Sequence, residues 1–348
     1  MPRYSSAIRI ISLATILISS AAAQSGTWII DTIAGTTRPV NDGPGSTALL
    51  NSPVGTVVDS AGNVVFADAG NHRVRQVSPN GTVSTIVGTG IAGNSGDGGP
   101  AIGAQLLSPA GLALDSSGNL FIADYLANVV RKVSADGTIS TVVGNGIPGS
   151  TLGATATSST LNAPWALAVD KNGALYVSED FNGTVRKVLP DGTISNLTQT
   201  KLPYPEGLAL DSQGNVYVAS WLDNRIYKVT GAGVTSIFAG GGTPAFSGDG
   251  GLATAAALNT PQGIAFDSTG NLWISDTGNQ RIRKVGTDGK SRPSSDREPK
   301  GSAISRATQR PLHSTLPPVS RWMRGDLFTG LKPATTASAA TIPETGRL

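Results

Sequence analysis

An aspartate ends a short apolar run at Asp59, Asp115, Asp170, Asp211 and Asp267, at intervals of 56, 55, 41 and 56 residues. Two further columns keep step with it. Nine residues after each stands Asp68, Asp124, Glu179, Ser220 or Asp276, and sixteen after each stands Arg75, Arg131, Arg186, Tyr227 or Arg283. Five copies that hold several offsets together imply a repeat architecture. In the copy spanning residues 111–144, apolar runs at 112–114, 120–123, 129–133 and 139–143 are separated by turn chemistry at 115–119, 125–128 and 136–137. Short apolar runs bounded by Gly, Asn and Asp predict strands joined as hairpins. Four antiparallel strands per repeat make one blade of a β-propeller.

The 41-residue interval approximates the bare four-strand unit. The longer ones add a glycine-rich insert after the fourth strand, as in Asn94-Ser-Gly-Asp97-Gly-Gly-Pro100 and Phe246-Ser-Gly-Asp249-Gly-Gly251. Each insert ends in a short Ala/Leu piece such as 253–258, predicted as one helical turn. The elements G-x-A-x-D at 111–115, G-N-x-x-x-A-D at 118–124, N-x-R-I-R-K-V at 279–285 and S-T-V-V-G at 140–144 resemble those of NHL-repeat proteins, over residues 27–289. The resemblance implies a β-propeller, commonly six-bladed in that family, and implies little about activity. Ahead of the first repeat, residues 28–35 match a fourth-strand element. Such a strand is expected to close the ring on the outer edge of the last blade. The expected fold is thus all-β: five full four-stranded antiparallel blades plus an N-terminal closing strand, with a sixth blade lost.

Residues 290–348 abandon the repeat for a Ser/Pro/Thr/Arg-rich stretch whose composition reads as an irregular or disordered tail. It also fits a sixth blade read one base out of phase. Trp322-Met323 has the single-codon sequence TGG-ATG, which contains the aspartate codon GAT 56 residues after Asp267. Codon degeneracy further permits S-T-V-V-G within 291–302, G-V-A-V-D within 318–323 and N-N-R-I-R within 332–339. A frameshifted sixth blade would leave the fifth without its fourth strand and two sheet edges exposed.

Charge and composition narrow the function. Residues 1–23 carry Arg3 and Arg9, an apolar core and Ala21-Ala22-Ala23, the pattern of a secretory signal peptide. The expected location is therefore exported, periplasmic or extracellular, with no membrane span. The net charge of +3 arises at the ends, since residues 24–289 hold 14 basic and 19 acidic side chains. That body disfavours nucleic acid as a partner. The absence of cysteine excludes disulfides and thiolate metal sites.

Some propellers of this kind are lyases or lactonases built on channel histidines and carboxylates, often around a metal. This chain has two histidines, His72 in a repeat turn and His313 in the tail. A histidine-ligated metal, a histidine acid/base pair and a Ser-His-Asp triad are therefore not available within the repeats. No catalytic or metal-ligating residue is assigned and no cofactor is expected. Ca²⁺ at Asp97 or Asp249 is disfavoured, because each loop offers one carboxylate where a tight site needs about six to eight oxygens.

Loops on one face of such a ring are short and stereotyped; those on the other vary, and variable loops more often carry binding residues. The residue after each proline that opens a first strand, namely Val54, Ala110, Trp165, Glu206 and Gln262, should ring one mouth of the channel. Tyr125, Trp221 and Asp223 stand on the same face in second-to-third-strand turns. Trp165, Glu206, Gln262, Tyr125, Trp221 and Asp223 are the candidate ligand contacts. The competing reading makes Trp165 an apolar plug, Glu206 a solvated charge and the aromatics inter-blade packing. The recurring Asp68, Asp124 and Asp276 are expected to cap their own turns, and the recurring arginines to pair with them along blade surfaces. The expected function is a non-enzymatic binding propeller for a protein, peptide or glycan. A carboxylate-based hydrolase or lyase with a divalent ion in the channel is the alternative.

Overall fold

Turn chemistry starts each blade. The carboxylate of Asp115 accepts hydrogen bonds from the N–H groups of Ser117 and Asn119, both at 2.9 Å, and Gly118 takes φ +80° between them. The same geometry recurs at Asp59, Asp170, Asp211 and Asp267. A left-handed position of this kind suits glycine, and it turns the first strand into the second.

The computed structural model describes residues 42–45 and 48–293. Strand β1 (Gly43–Pro44) precedes the first blade, which holds β2 (Pro53–Val58), β3 (Val64–Asp68), β4 (Arg73–Val77) and β5 (Thr82–Val87). The second blade holds β6 (Pro109–Leu114), β7 (Leu120–Asp124), β8 (Val129–Val133) and β9 (Ile139–Val143). The third holds β10 (Pro164–Val169), β11 (Leu175–Glu179), β12 (Thr184–Val188) and β13 (Ile194–Asn196). The fourth holds β14 (Pro205–Leu210), β15 (Val216–Ser220), β16 (Arg225–Val229) and β17 (Thr235–Ala239), and the fifth β18 (Pro261–Phe266), β19 (Leu272–Asp276), β20 (Arg281–Val285) and β21 (Ser291–Pro293). Every blade is an antiparallel meander, and each innermost strand packs on the next, from β2 through β6, β10 and β14 to β18.

Apolar clusters fill the seams between successive blades; Val74, Val87 and Leu106 meet Leu112 and Ile122 in the first seam. Every residue of β7, β11 and β15 is buried, because both faces of a second strand are covered by neighbouring blades. Double coverage favours the continuous apolar runs seen in the sequence there.

Several expectations need correction. The fifth blade has its fourth strand: Ser291 pairs with Val285, Arg292 with Lys284 and Pro293 with Arg283. Ladder bonds are made by backbone, so a segment without the usual side chains still serves, and it ends at a proline that cannot donate. The glycine-rich inserts run beside the fourth strand of the following blade, where Gly98 N–H donates to Ile139 O and Ala101 N–H to Gly137 O. The predicted helical turn is the three-residue Ala253–Ala255. The signal-like segment, the strand expected at 28–35 and the tail beyond residue 293 lie outside the described residues.

The recurring arginines are not surface residues: Arg75, Arg131, Arg186 and Arg283 are 0–1% exposed. A buried guanidinium needs a counter-ion and carbonyl acceptors. The insert supplies both, and the second-strand acids pair with the arginines as expected at Asp68–Arg75, 3.5 Å, and Asp276–Arg283, 3.7 Å. Asp97 meets Arg131 at 2.5 Å and Asp249 meets Arg283 at 2.5 Å, while Asp42 meets Arg75 at 2.8 Å. Ser95, Gln105, Ser247 and Ala257 add backbone carbonyls. The connection into the third blade carries no aspartate; there Arg186 is held by Glu179, by Asn196 and by the Ser150 carbonyl. In the fourth blade, entered by the shortest connection, Tyr227 replaces arginine and donates to Asp223 at 2.7 Å.

The third residue of most first strands is a glycine, pressed against the next blade. A Cβ on Gly111 would stand 2.1 Å from the Trp165 carbonyl oxygen, and one on Gly55 would stand 2.4 Å from that of Ala110. Two outcomes follow. Gly111→Ala should destabilise the protein by about 1–3 kcal/mol through overpacking, read as a lowered thermal midpoint. Asp97→Ala, which removes the only hydrogen-bonded carboxylate that Arg131 has among the described residues, should cost roughly 2–3 kcal/mol in urea denaturation; an unchanged midpoint would show that the connection is not what neutralises the blade.

Candidate functional site

The channel-mouth residues owe their position to an irregularity. In each first strand the ladder slips between the opening proline and the residues that follow, at Pro53, Pro109, Pro164, Pro205 and Pro261. A bulge re-aims side chains locally, and Trp165, Glu206 and Gln262 occupy it. In the third blade the glycine that usually follows is Ala166, whose N–H is held by the Ser178 hydroxyl at 2.9 Å.

Five aromatic side chains form an arc across the second, third and fourth blades. Trp165 meets Tyr125 edge to face with centroids 5.3 Å apart, Tyr125 meets Phe181 at 6.3 Å, Phe181 meets Tyr204 at 6.1 Å and Tyr204 meets Trp221 at 5.7 Å. Phe181 is 57% exposed, and Leu126 and Leu222 at the tips of neighbouring turns are exposed as well. Beside Trp165 and Tyr125, a depression of about 340 Å³ is lined by Val54, Ala110 and His72.

Two carboxyl groups lie near the tyrosines of this arc. Asp180 is buried, and its Oδ1 and the Oε2 of Glu206 have no hydrogen-bond partner among the described residues. Burial, together with the neighbouring Glu206, pushes the Asp180 carboxyl up to about 9. Burial likewise pushes Glu206 up to about 7, with the Gln262 amide beside it offsetting part of the effect. The phenols of Tyr125 and Tyr204 are also raised, first by burial and then by these two acids. All four groups therefore share one small region and favour their neutral forms.

The structure thus unites Trp165, Tyr125, Trp221, Glu206 and Gln262, the last accepting a 3.2 Å hydrogen bond from Thr277. Asp223 is set apart, since its carboxylate serves Tyr227. Asp180, Phe181 and Tyr204 went unrecognised in the sequence. The signal for Asp180 lies in the position just after each second strand, which reads Ala69, Tyr125, Asp180, Trp221, Thr277. The recurring Asp68, Asp124 and Asp276 are not turn caps of the expected kind. They accept from N–H groups about one strand-pair upstream, Asp124 from Leu107 and Ser108 and Asp276 from Asn259, and so fix where the next first strand begins. Asp97 and Asp249 each face a guanidinium group, that of Arg131 and that of Arg283. His72 donates through Nδ1 to the Leu107 carbonyl at 2.7 Å and ties the first blade to the second.

The raised acids set a pH dependence. The folded protein keeps protons on Asp180 and Glu206 up to about pH 9 and 7, whereas an unfolded chain releases them near pH 4. Folding stability should therefore decline as pH rises from about 4 to 9. Asp180→Asn removes part of that decline. The variant is expected to be more stable than the parent by about 2–4 kcal/mol at pH 8 and nearly equal to it at pH 4, as read from denaturation at the two pH values. Equal stability at both would place Asp180 in water.

Comparisons with known proteins agree with this architecture. Residues 50–77 and 258–285 match the family model described as NHL repeat, and residues 90–151 match the Teneurin NHL domain. Teneurin-4 of Mus musculus is 30% identical over 272 residues, covering 72% of this chain and 8% of that protein. The chain thus spans a small fraction of the length of the teneurins it matches. Among solved structures, the nidogen/laminin complex aligns with a TM-score of 0.51 at 18% identity, covering 69% of this chain and 78% of the other. A gluconolactonase from Xanthomonas campestris aligns with a TM-score of 0.50 at 20% identity, covering 70% and 75%. Repeat motifs, blade topology and relatives converge, and the chain belongs to the NHL-repeat β-propeller proteins.

Proposed function

We propose that this chain is an exported binding propeller that presents the aromatic face of its second to fourth blades to a protein, peptide or glycan. The observation that carries the reading is the arc from Trp165 to Trp221, rimmed by exposed Leu126, Phe181 and Leu222. Contiguous exposed apolar side chains on one face of a folded domain mark interaction sites, and aromatic anchors dominate binding energy at such sites. Export rests on the signal-like residues 1–23. No helix among the described residues is long and apolar enough to cross a membrane. The fold itself does not select a function, since it is shared by a chain of a nidogen/laminin complex and by a gluconolactonase.

One observation favours a second reading, carboxylate chemistry on a ligand in the channel. Asp180 and Glu206 are pushed to about 9 and 7, so that near neutral pH one is an acid while the other is poised to act as a base. A divalent ion there would replace the missing positive charge.

Peptide and glycan arrays probed with the full chain separate these readings. Retention should fall at least about tenfold, or roughly 1.4 kcal/mol, in Phe181→Ala and in Trp221→Ala. Lys171→Glu, in an exposed turn of the opposite face, should leave it unchanged. Retention that survives both aromatic changes and is lost in the Lys171 variant would remove the aromatic face from consideration.

A further inference from the structure

The centre of that face is more specific than its rim. The wholly buried carboxylates of the second strands all have donors: Asp68 has Asn51, Asn71 and Arg75, Asp124 has Leu107 and Ser108, Glu179 has Asn162, Asn182 and Arg186, and Asp276 has Asn259 and Asn279. Asp180 and Glu206 break this pattern. Each keeps one oxygen sealed from solvent and without a partner. The groups that bear on them are each other, the phenols of Tyr125 and Tyr204, and the Gln262 amide; no lysine, arginine or histidine is among them. Two acids from adjacent blades thus bear on each other beside two tyrosine phenols, with no cation among the described residues acting on them.

Resting on the binding reading above, we propose that the channel mouth between the third and fourth blades receives a primary ammonium group, the lysine side chain of a peptide ligand, with Asp180 and Glu206 as its counter-ions. The chemistry fits on three counts. An ammonium carries three donors for the orphaned oxygens. Its charge is attracted to the faces of Tyr and Trp rings, most strongly where water is excluded. Its four-carbon stem spans from an apolar rim to a buried acid while packing along aromatic surface.

Other ligand classes fit less well. Successive rings of the arc meet at 61–85°, so their faces do not form the flat platform on which a sugar ring lies. Two carboxylates and one amide fall short of the six to eight oxygens a Ca²⁺ site takes.

Without ligand, burial and the neighbouring Glu206 push Asp180 up to about 9 and burial pushes Glu206 up to about 7, so both carboxyls hold protons at pH 6. An entering ammonium displaces those protons, whereas a lysine amine stays charged to about pH 10. Affinity should accordingly rise between pH 6 and pH 8.5, with protons released on binding.

The test uses the full chain and a terminally blocked Gly-Lys-Gly peptide, with blocked Gly-norleucine-Gly as its neutral counterpart, followed by tryptophan fluorescence and calorimetry. The lysine peptide should give a saturable signal at least about tenfold tighter than the norleucine peptide, tightening about tenfold from pH 6 to 8.5. Glu206→Gln and Asp180→Asn should each weaken it about tenfold, with unchanged circular dichroism. Calorimetry in two buffers of different ionisation enthalpy should register proton release without any variant. Equal binding of the two peptides, no saturation by about 10 mM, or a signal given by calcium chloride and not by lysine would each overturn the assignment. Array ligands that depend on Phe181 and Trp221 yet lack amines would overturn it too, while leaving the broader binding face intact. Loss of the aromatic dependence would instead remove the face itself.

Discussion

A buried guanidinium cannot be left unpaired, and the blades of this propeller are arranged around that requirement. Arg75, Arg131 and Arg283 are each wholly enclosed and each met by an aspartate from the connection that enters the blade. The connection is thereby drawn along the blade's outer strand before it returns to start the inner one. Its end is pinned by the second-strand carboxylate, as where Asp124 receives the N–H groups of Leu107 and Ser108. One charge on the third strand thus helps decide where the next first strand begins. The opening proline, the bulge and the channel-mouth side chain follow from that starting point.

The exceptions obey the same electrostatics. The connection into the third blade lacks an aspartate, and there the second-strand acid is Glu179, one methylene longer, which pairs with Arg186 more closely than Asp68 pairs with Arg75 or Asp276 with Arg283. The fourth blade is entered by the shortest connection and dispenses with the charge: Tyr227 takes the arginine's place, Asp223 the place that Asn71, Asn182 and Asn279 hold elsewhere, and the two bond to each other. Donor and acceptor change together within a single chain, so the blade interior is balanced locally.

Most of this architecture was legible in the sequence because strand period, turn residues and the Asp and Arg columns are short-range signals in register. The blade boundaries and the prolines that open first strands could be read directly. The route of the inserts could not, because Asp97 and Arg131 are 34 residues apart and nothing local to either names the other. Trp165, Glu206 and Gln262 stood out because they break a column of small residues. Asp180 escaped notice for a physical reason: it follows Glu179, and the pair reads as one acidic landmark until the strand places its members on opposite duties, one toward Arg186 and the other toward the channel mouth. Tyr204 was hidden in a connection, in a left-handed conformation at φ +48° that a bulky residue seldom adopts. The fourth strand of the fifth blade leaves no side-chain pattern to read, because backbone alone makes its ladder.

The residue between each opening proline and the following glycine or Ala166 bears neither of the forces that hold the ring together. Neutralisation happens at the periphery, and close approach happens one position further along, where a methyl on Gly111 would strike the Trp165 carbonyl. A valine, an alanine, a tryptophan, a glutamate and a glutamine occupy that one register in successive blades. Such a position works as an interchangeable socket: evolution or a protein engineer can recast the chemistry of the pore lining residue by residue while the scaffold keeps its shape.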